Sequence, residues 1–286
     1  MTRGILIFAH NGPEVDYGTM SIIAGGLAKK HLDLPVSLVT DKWTIGWLKE
    51  SNMYETAKTV FDKIIEIEKP RTKNTRKLHD GFYSQTVPFV NSNRFSVWDV
   101  SPYDQTLLID SDYLIFSNQL NEYWSVDSSV MLGHSMNDIT GDRSGVLDQR
   151  VSETGVHMFW ATTVMFTKNE ESRFFFKLVD FIKDNYVYYA DLFRFNSKQY
   201  RNDITFSIAK HIMNGFETEF VYTLPPILTV FDKDILQSVN NTTLTFLIDK
   251  PLNCGDFLAA TTTGLDVHVM NKQSIMRHKE KLLELI

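Results

Sequence analysis

Residues 106–115 have the sequence Thr-Leu-Leu-Ile-Asp-Ser-Asp-Tyr-Leu-Ile, an apolar run that two carboxylates interrupt. Consecutive leucine and isoleucine are typical of a strand buried on both faces. Because side chains alternate along a strand, we expect Asp110 and Asp112 to project from one side and Ser111 from the other. Two close carboxylates repel each other, and a bound divalent cation removes that repulsion. The stretch predicts a Mg²⁺ or Mn²⁺ site, with a solvated Asx-type turn as the alternative.

Strand and helix patterns alternate around this stretch. Buried strands are predicted over residues 4–9, 36–40 and 63–67, with helices over 17–30 and 43–49. This order predicts an α/β fold with a single Rossmann-like domain, in which a mostly parallel central sheet is flanked by helices. Ligands of such sheets bind beyond the carboxyl ends of the strands. Polar residues follow these predicted ends: His10, Asn11, Asp41 and the pair Asp110 and Asp112.

Later segments carry further patterns. Residues 69–79 are basic and predict a loop, either simply solvated or covering an anionic ligand. Residues 134–155 are polar and longer than an ordinary connection, which predicts a mobile binding loop. Asn169 is expected to cap a helix whose core face carries Phe174, Leu178, Phe181 and Ile182. A helix is also predicted to start at Asn202–Asp203, and a single amphipathic helix over residues 274–286.

Composition limits the class of protein. The chain has 286 residues, 43% of them hydrophobic, and a formal net charge of -6, so its whole surface does not resemble that of a nucleic-acid-binding protein. The one cysteine, Cys254, excludes an internal disulfide and a multi-cysteine zinc site. We find no signal-peptide pattern and no apolar run of membrane-spanning length. We therefore expect a soluble, cytoplasmic protein.

Four places together resemble the GT-A glycosyltransferases, most closely the family that includes glycogenin and the bacterial lipopolysaccharide galactosyltransferases. They are the N-terminal strand and loop, Arg94 one helix before the Asp-x-Asp stretch, the acidic helix start at Asn202–Asp203, and His268 followed by Lys272. Residues 101–104 (Ser-Pro-Tyr-Asp) and 110–113 (Asp-Ser-Asp-Tyr) also resemble glycosyltransferase-like proteins of tailed bacteriophages, which would place the protein in a host cytoplasm.

The resemblance implies one GT-A domain over residues 1–286. Its nucleotide-binding half would span 1–115, and its acceptor half, with a C-terminal segment for the metal and diphosphate, 116–286. The implied activity is the metal-dependent transfer of a hexose from a nucleotide sugar, a UDP-sugar, to an unknown acceptor with retention of configuration. The acceptor classes left open are a glycan, a protein and modified DNA.

The resemblance also assigns residues. Asp110, Asp112 and His268 would hold Mn²⁺ or Mg²⁺, while Asn202 and Asp203 would orient the donor sugar. In an inverting enzyme Asp203 would instead be the general base. The implied contacts with the donor nucleotide and its diphosphate are Ala9, His10, Asn11, Tyr17, Asp41, Arg94, Ser111 and Lys272. The family's C-terminal motif contains a glycine and continues into Pro-Trp, whereas Gln273 and Ser274 follow Lys272 here.

The sequence leaves two other functions open. A sugar-phosphate nucleotidylyltransferase also places carboxylates and a cation at a parallel sheet, but it needs a glycine-rich, arginine-containing loop where this chain has His10-Asn11-Gly12-Pro13. The second alternative is a non-catalytic module that binds nucleotide sugars. For the enzyme, we expect Asp112→Ala to abolish activity and leave the fold intact, on the assumption that Asp112 lies at a surface cleft.

Overall fold

A computed structural model describes residues 1–69, 74–81, 83–143, 149–153, 155–195, 199–217, 222–249 and 256–286. Cys254 lies outside these residues, as do parts of the predicted basic loop (70–73) and of the predicted long loop (144–148 and 154). Within the described parts of the chain, no helix is both long enough and apolar enough to span a membrane.

The strands, in chain order, are β1 (Arg3–Phe8), β2 (Val36–Thr40), β3 (Lys63–Glu66), β4 (Thr75–Asp80), β5 (Tyr83–Pro88), β6 (Gln105–Ile109), β7 (Tyr113–Leu114), β8 (Val130–Gly133), β9 (Met136–Asp138), β10 (Trp160–Thr167), β11 (Ile227–Val230), β12 (Ile235–Asn240), β13 (Thr243–Asp249), β14 (Phe257–Thr263) and β15 (Val267–Val269). The α-helices are α1 (Tyr17–Leu32), α2 (Lys42–Glu50), α3 (Tyr54–Val60), α4 (Val97–Val100), α5 (Glu170–Asp184), α6 (Tyr186–Phe193), α7 (Asn202–Met213), α8 (Lys272–Arg277) and α9 (Lys279–Leu283). Short 3₁₀ helices cover Arg94–Ser96 and Gln119–Ser125.

The central sheet has the strand order β3-β2-β1-β6-β10-β8. Its first four strands are parallel, and β10 runs antiparallel to both β6 and β8. Helix α1 packs against β1 and β2, and helix α7 packs against β10. Strand β1 is buried from Gly4 to Phe8, as expected for a strand covered on both faces. The predicted α/β class, with a mostly parallel central sheet and flanking helices, is confirmed.

A second sheet, of order β7-β15-β11-β9, lies beside the carboxyl end of β6. Strand β15 pairs antiparallel with β7, which opposes His268 to Tyr113. This pairing brings the C-terminal segment next to the Asp-Ser-Asp sequence, although Tyr113 and His268 are 155 positions apart in the chain. Strands β12, β13 and β14 form a separate antiparallel sheet, and β4 and β5 form a hairpin.

Four local predictions were wrong. The stretch 106–115 is not one strand, because β6 ends at Ile109 and the chain turns before β7 enters the second sheet. Residues 75–80 of the predicted basic loop form strand β4. The predicted loop over residues 134–155 is not one uninterrupted loop, because it contains strand β9, and Arg143 within it forms buried ion pairs with Asp138 and Asp234. The C-terminal helix is interrupted at His278 and consists of α8 and α9.

Candidate active site

A cavity of about 190 Å³ lies where the carboxyl end of β6 meets the C-terminal segment. Its lining comes from widely separated parts of the chain, which only the pairing of β7 with β15 and the packing of α7 bring together. The lining residues are Phe8, Tyr17, Arg76, Phe89, Asn91, Arg94, Asp110, Ser111, Asp112, Asn202, Asp203, Asp232, His268, Met270 and Lys272.

The Asp-Ser-Asp sequence forms a tight turn that links the two sheets. The amide of Asp110 donates to the Thr162 carbonyl on β10, at 3.0 Å, and the amide of Tyr113 donates back to the Asp110 carbonyl at 3.2 Å. The carbonyl of Asp112 then accepts from Val269 on β15 at 2.9 Å. The expected strand alternation therefore does not apply here, and Ser111 lines the cavity together with both carboxylates.

His268 and Lys272 reach Asp112 from the C-terminal segment. The Nε2 atom of His268 lies 3.5 Å from one carboxylate oxygen of Asp112, and the Nζ atom of Lys272 lies 2.5 Å from the other. Lys272 is the first residue of α8, and the side chain of Asn271 caps this helix by accepting from the Ser274 amide at 3.0 Å. The cap fixes the direction from which Lys272 enters the cavity.

Asp112 is 4% exposed and is therefore not a surface carboxylate. Burial raises the pKa of Asp112, but the charges of Lys272 and His268 outweigh this effect and hold the pKa well below its usual range. Asp112 is thus ionised, and the buried ammonium of Lys272 balances its charge. The expectation that Asp112→Ala leaves the fold intact assumed an exposed side chain, and the structure contradicts that assumption.

Arg94 forms an ion pair with Asp110, the other carboxylate of the Asp-Ser-Asp sequence. Its guanidinium contacts Asp110 and donates from Nη1 to the Ala161 carbonyl at 2.6 Å. Arg94 is buried, and its Nε atom has no hydrogen-bond partner within the described residues. Burial lowers the pKa of Arg94, and the carboxylates of Asp203 and Asp112 partly offset that effect. The Arg94 guanidinium thus places a positive charge at the cavity wall, where it attracts an anion.

Asn202 and Asp203 form another part of the cavity wall, at the start of α7. The side chain of Asn202 accepts from the Tyr200 hydroxyl at 2.9 Å and donates to the Asn91 carbonyl at 3.2 Å. One Asp203 oxygen accepts from the Ala161 amide at 2.9 Å. Ala161 therefore contacts both Arg94 and Asp203, which fixes these two side chains relative to each other.

The residues present fit a divalent cation. The potential ligand atoms of Asp110, Asp112 and His268 all lie within 4.8 Å of one another, and no other such group of histidine, cysteine and acidic residues occurs in the described parts of the chain. Two carboxylates and one imidazole suit Mn²⁺, and the carboxylates also suit Mg²⁺. In this structure the guanidinium of Arg94 and the ammonium of Lys272 provide the positive charge that the carboxylates require.

Nine of the thirteen site residues named from the sequence line this cavity, and four do not. Ala9, His10, Asn11 and Asp41 are at most 2% exposed and serve the packing of the first loop. The Nδ1 atom of His10 lies 2.8 Å from Asp41, whose other oxygen caps α2. The side-chain oxygen of Asn11 accepts from the Gly18 amide at 2.6 Å.

Six lining residues were not identified from the sequence: Phe8, Arg76, Phe89, Asn91, Asp232 and Met270. Arg76 belongs to the basic segment 69–79, and the positive charge of that segment was the sequence feature that could have identified it. Asp232 follows β11, a strand that was not predicted, so nothing in the sequence marked this residue as lying at a strand end. Arg76 lies on β4 and Phe89 directly after β5, and the Arg76 guanidinium is 5.7 Å from the Phe89 ring centroid.

No protein-family model and no curated protein sequence matches the chain. Among solved structures, glycosyltransferase GlyE of Streptococcus pneumoniae TIGR4 is 14% identical, with 74% of this chain and 43% of that chain aligned and a TM-score of 0.38. The galactosyltransferase LgtC, in complex with donor and acceptor sugar analogues, is 12% identical, with coverages of 71% and 68% and a TM-score of 0.42. The inositol-1-phosphate CTP transferase of T. maritima is 15% identical, with coverages of 75% and 82% and a TM-score of 0.40.

The aligned region thus spans less than half of the GlyE chain and about two thirds of the LgtC chain. Over roughly three quarters of its length, this chain is similar to solved glycosyltransferases and to a nucleotidyltransferase.

Proposed function

We propose that the chain is a metal-dependent glycosyltransferase that transfers a hexose from a UDP-sugar to an acceptor with retention of configuration. The observation that carries this proposal is the convergence of Asp110, Asp112 and His268 in one cavity. A divalent cation at these residues would supply electrostatic stabilisation of the departing diphosphate.

The chain's own cations suit a diphosphate as well. Arg94, Lys272 and Arg76 all reach the cavity, so three positive side chains surround the place where phosphate oxygens would lie. Guanidinium groups bind phosphate oxygens through paired N–H donors, and lysine binds them as a compact point charge. Charge on the leaving group grows as the glycosidic bond breaks, so these contacts strengthen in the transition state.

Asn202 and Asp203 support a role beside the sugar. Both side chains line the cavity, and their hydrogen bonds to Tyr200 and Ala161 hold them in place. A fixed carboxylate and a fixed amide can orient sugar hydroxyls without taking part in proton transfer. Retention of configuration is what the resemblance to the glycogenin and lipopolysaccharide galactosyltransferase family implies. The acceptor classes remain a glycan, a protein or modified DNA.

The test is to incubate the protein with UDP-glucose, UDP-galactose, GDP-mannose and CMP-sialic acid, each with Mn²⁺ or with EDTA. We expect slow release of UDP that needs Mn²⁺, even without an acceptor. A parallel reaction with CTP or UTP and a hexose 1-phosphate tests for a nucleotidylyltransferase through pyrophosphate release. The proposal fails if pyrophosphate alone is released, or if no nucleotide sugar is cleaved and none shifts the melting temperature.

A further inference from the structure

A second and larger cavity, of about 660 Å³, lies near the end of α7 that is remote from Asp203. Three histidines line it, together with an aromatic wall and two arginines. Ligand pockets in proteins span roughly 300–1,000 Å³ and combine apolar walls with a few polar groups. In size and composition this cavity therefore resembles a small-molecule site, and none of the residues assigned above lies in it.

The aromatic wall is a row of three stacked rings. The rings of Phe193 and Phe216 are within 26° of parallel, with centroids 6.3 Å apart. The His211 ring stacks on Phe216 at an angle of 16° and a centroid distance of 6.4 Å. Phe216 stacks on both other rings and is still 52% exposed, so part of its surface is open to a ligand. Exposed aromatic surface of this kind packs against the apolar parts of a ligand.

No carboxylate of the described residues neutralises the two arginines of this cavity. Arg150 and Arg194 both line the cavity, and neither forms an ion pair with any carboxylate in the described parts of the chain. Arg94, Arg143 and Arg277, in contrast, are each paired with aspartate. Burial lowers the pKa of His134 and of His211, so these histidines are neutral at neutral pH and the arginines carry the positive charge.

Backbone strain singles out the same cavity. Five non-glycine residues among those described have positive φ angles, and three of them, Asp33, Asn52 and Asn241, are of types that tolerate this conformation. The other two are Arg194, with φ of 55°, and Phe216, with φ of 62°. Glycine would be more favourable at both positions, so their side chains are retained at a cost in stability. Both of these side chains line this one cavity.

The position of this cavity relative to the candidate active site is set by helix α7 and by the central sheet. Asp203 and His211 are eight residues apart on α7, which corresponds to about 12 Å along the helix. Strand β8 runs parallel to β6, since both are antiparallel to β10, so His134 just after β8 lies at the same edge of the sheet as Asp110. The second cavity and Asp203 are therefore separated by a distance that a short oligosaccharide can span.

We propose that this cavity is a distal acceptor subsite that binds an acidic sugar unit of an oligosaccharide through the Phe193–Phe216 wall and the Arg150 and Arg194 guanidiniums. Calling the ligand an acceptor rests on the proposed function, whereas binding of an acidic oligosaccharide does not. A nucleic acid fits less well, because it needs a basic track along several phosphates, and this cavity has two arginines and one carboxylate, Glu217, in a chain of net charge -6.

The test measures binding by calorimetry, without donor or metal, of trigalacturonate, neutral galactotriose and a thymidine oligonucleotide. We expect wild-type protein to bind trigalacturonate at least tenfold more tightly than the other two. Arg194→Gly and Phe216→Gly should each weaken this binding at least tenfold while the melting temperature stays equal or rises, because glycine relieves the positive φ. The matched control is Asn241→Gly, which changes a positive-φ residue in the β12–β13 turn and should leave binding unchanged.

The inference is overturned if wild-type protein binds none of the three ligands, prefers the oligonucleotide or galactotriose, or keeps full affinity in both variants. It is also overturned if both variants lose binding only together with their folded structure. Trigalacturonate binding without any cleavage of nucleotide sugars would contradict the proposed function and leave the subsite standing. Cleavage of nucleotide sugars without trigalacturonate binding would support the proposed function and overturn the subsite.

Discussion

At the scale of single residues, the central feature is a set of buried charges that depend on one another. Asp112 is ionised inside the protein because Lys272 and His268 lie against it. Removing one member of a buried ion pair leaves the other charge uncompensated, which costs far more than the pair itself contributes. Asp112 therefore has a role in folding as well as in the proposed chemistry. A test of its chemical role needs a variant that stays folded without the carboxylate.

We expect Asp112→Asn to lower the free energy of unfolding by about 3 kcal/mol, because Lys272 stays buried without its partner. The double variant Asp112→Asn/Lys272→Met should recover most of this loss and still fail to release UDP. Urea unfolding measures the stability of both proteins. An Asp112→Asn protein as stable as wild type would show that the charge of Lys272 is not buried as described.

Asp41 provides a pH-dependent prediction away from the cavity. Burial raises the pKa of Asp41, but hydrogen bonds from His10 and Thr44 lower it from 3.8 to about 2. A carboxylate with a lowered folded-state pKa stabilises the protein above its unfolded pKa and loses that contribution as the pH falls through the folded value. Asp41→Asn should thus lose about 2 kcal/mol at neutral pH.

In urea unfolding curves, the stability difference between wild type and Asp41→Asn should shrink as the pH falls from 3.8 toward about 2. A difference that is constant across this range would contradict the role given to the carboxylate.

At the scale of elements, a buried ion network joins the β9 segment to the β11–β12 connection. Arg143 lies between Asp138 and Asp234, at 2.6 and 2.8 Å, and both aspartate side chains are fully buried. The Asp234 carbonyl accepts from the side chain of Asn271 at 2.8 Å. Asn271 in turn caps the helix that begins with Lys272, so the network supports the element that carries the Lys272 ammonium into the cavity.

We expect Arg143→Met to cost about 3 kcal/mol, because two buried carboxylates lose their common partner. The matched control is Arg277→Met. Arg277 pairs with Asp80 but is 45% exposed, so its loss should cost no more than about 1 kcal/mol. Thermal or urea unfolding compares the two variants. Equal losses would show that burial does not decide the contribution of these ion pairs.

Helix α5 shows where a sequence pattern is ambiguous. Its start was predicted correctly, and the side chain of Asn169 accepts from the Ser172 amide in a capping box. The predicted core face was wrong in part, because Phe174 and Phe181 are each 57% exposed, while Phe175, Phe176 and Val179 are buried. Three consecutive phenylalanines fit two helical faces equally well, and only the position of the neighbouring β10 and α7 decides between them.

At the scale of the whole molecule, the sequence predicted the central sheet but not the second one. Strands β1, β2 and β6 are rich in apolar residues and almost entirely buried, so their composition reports burial directly. Strands β7, β9 and β15 have two or three residues each and owe their existence to pairing across the chain, which local patterns do not encode. His268 and Lys272 were named by resemblance. Asp232 was missed because it follows β11, which pairs with β9 and β15, and Arg76 was missed because its segment was expected to be a loop and forms strand β4 of a hairpin.

The most direct test of the central claim, that Asp110, Asp112 and His268 hold a divalent cation, is a Mn²⁺ titration followed by electron paramagnetic resonance, with and without UDP. We predict one Mn²⁺ bound per chain, held more tightly with UDP, and lost in the Asp112→Asn/Lys272→Met protein, whose fold the urea experiment checks. Wild-type protein that binds no Mn²⁺ in the presence of UDP, or a double variant that binds it as well as wild type, would contradict the claim.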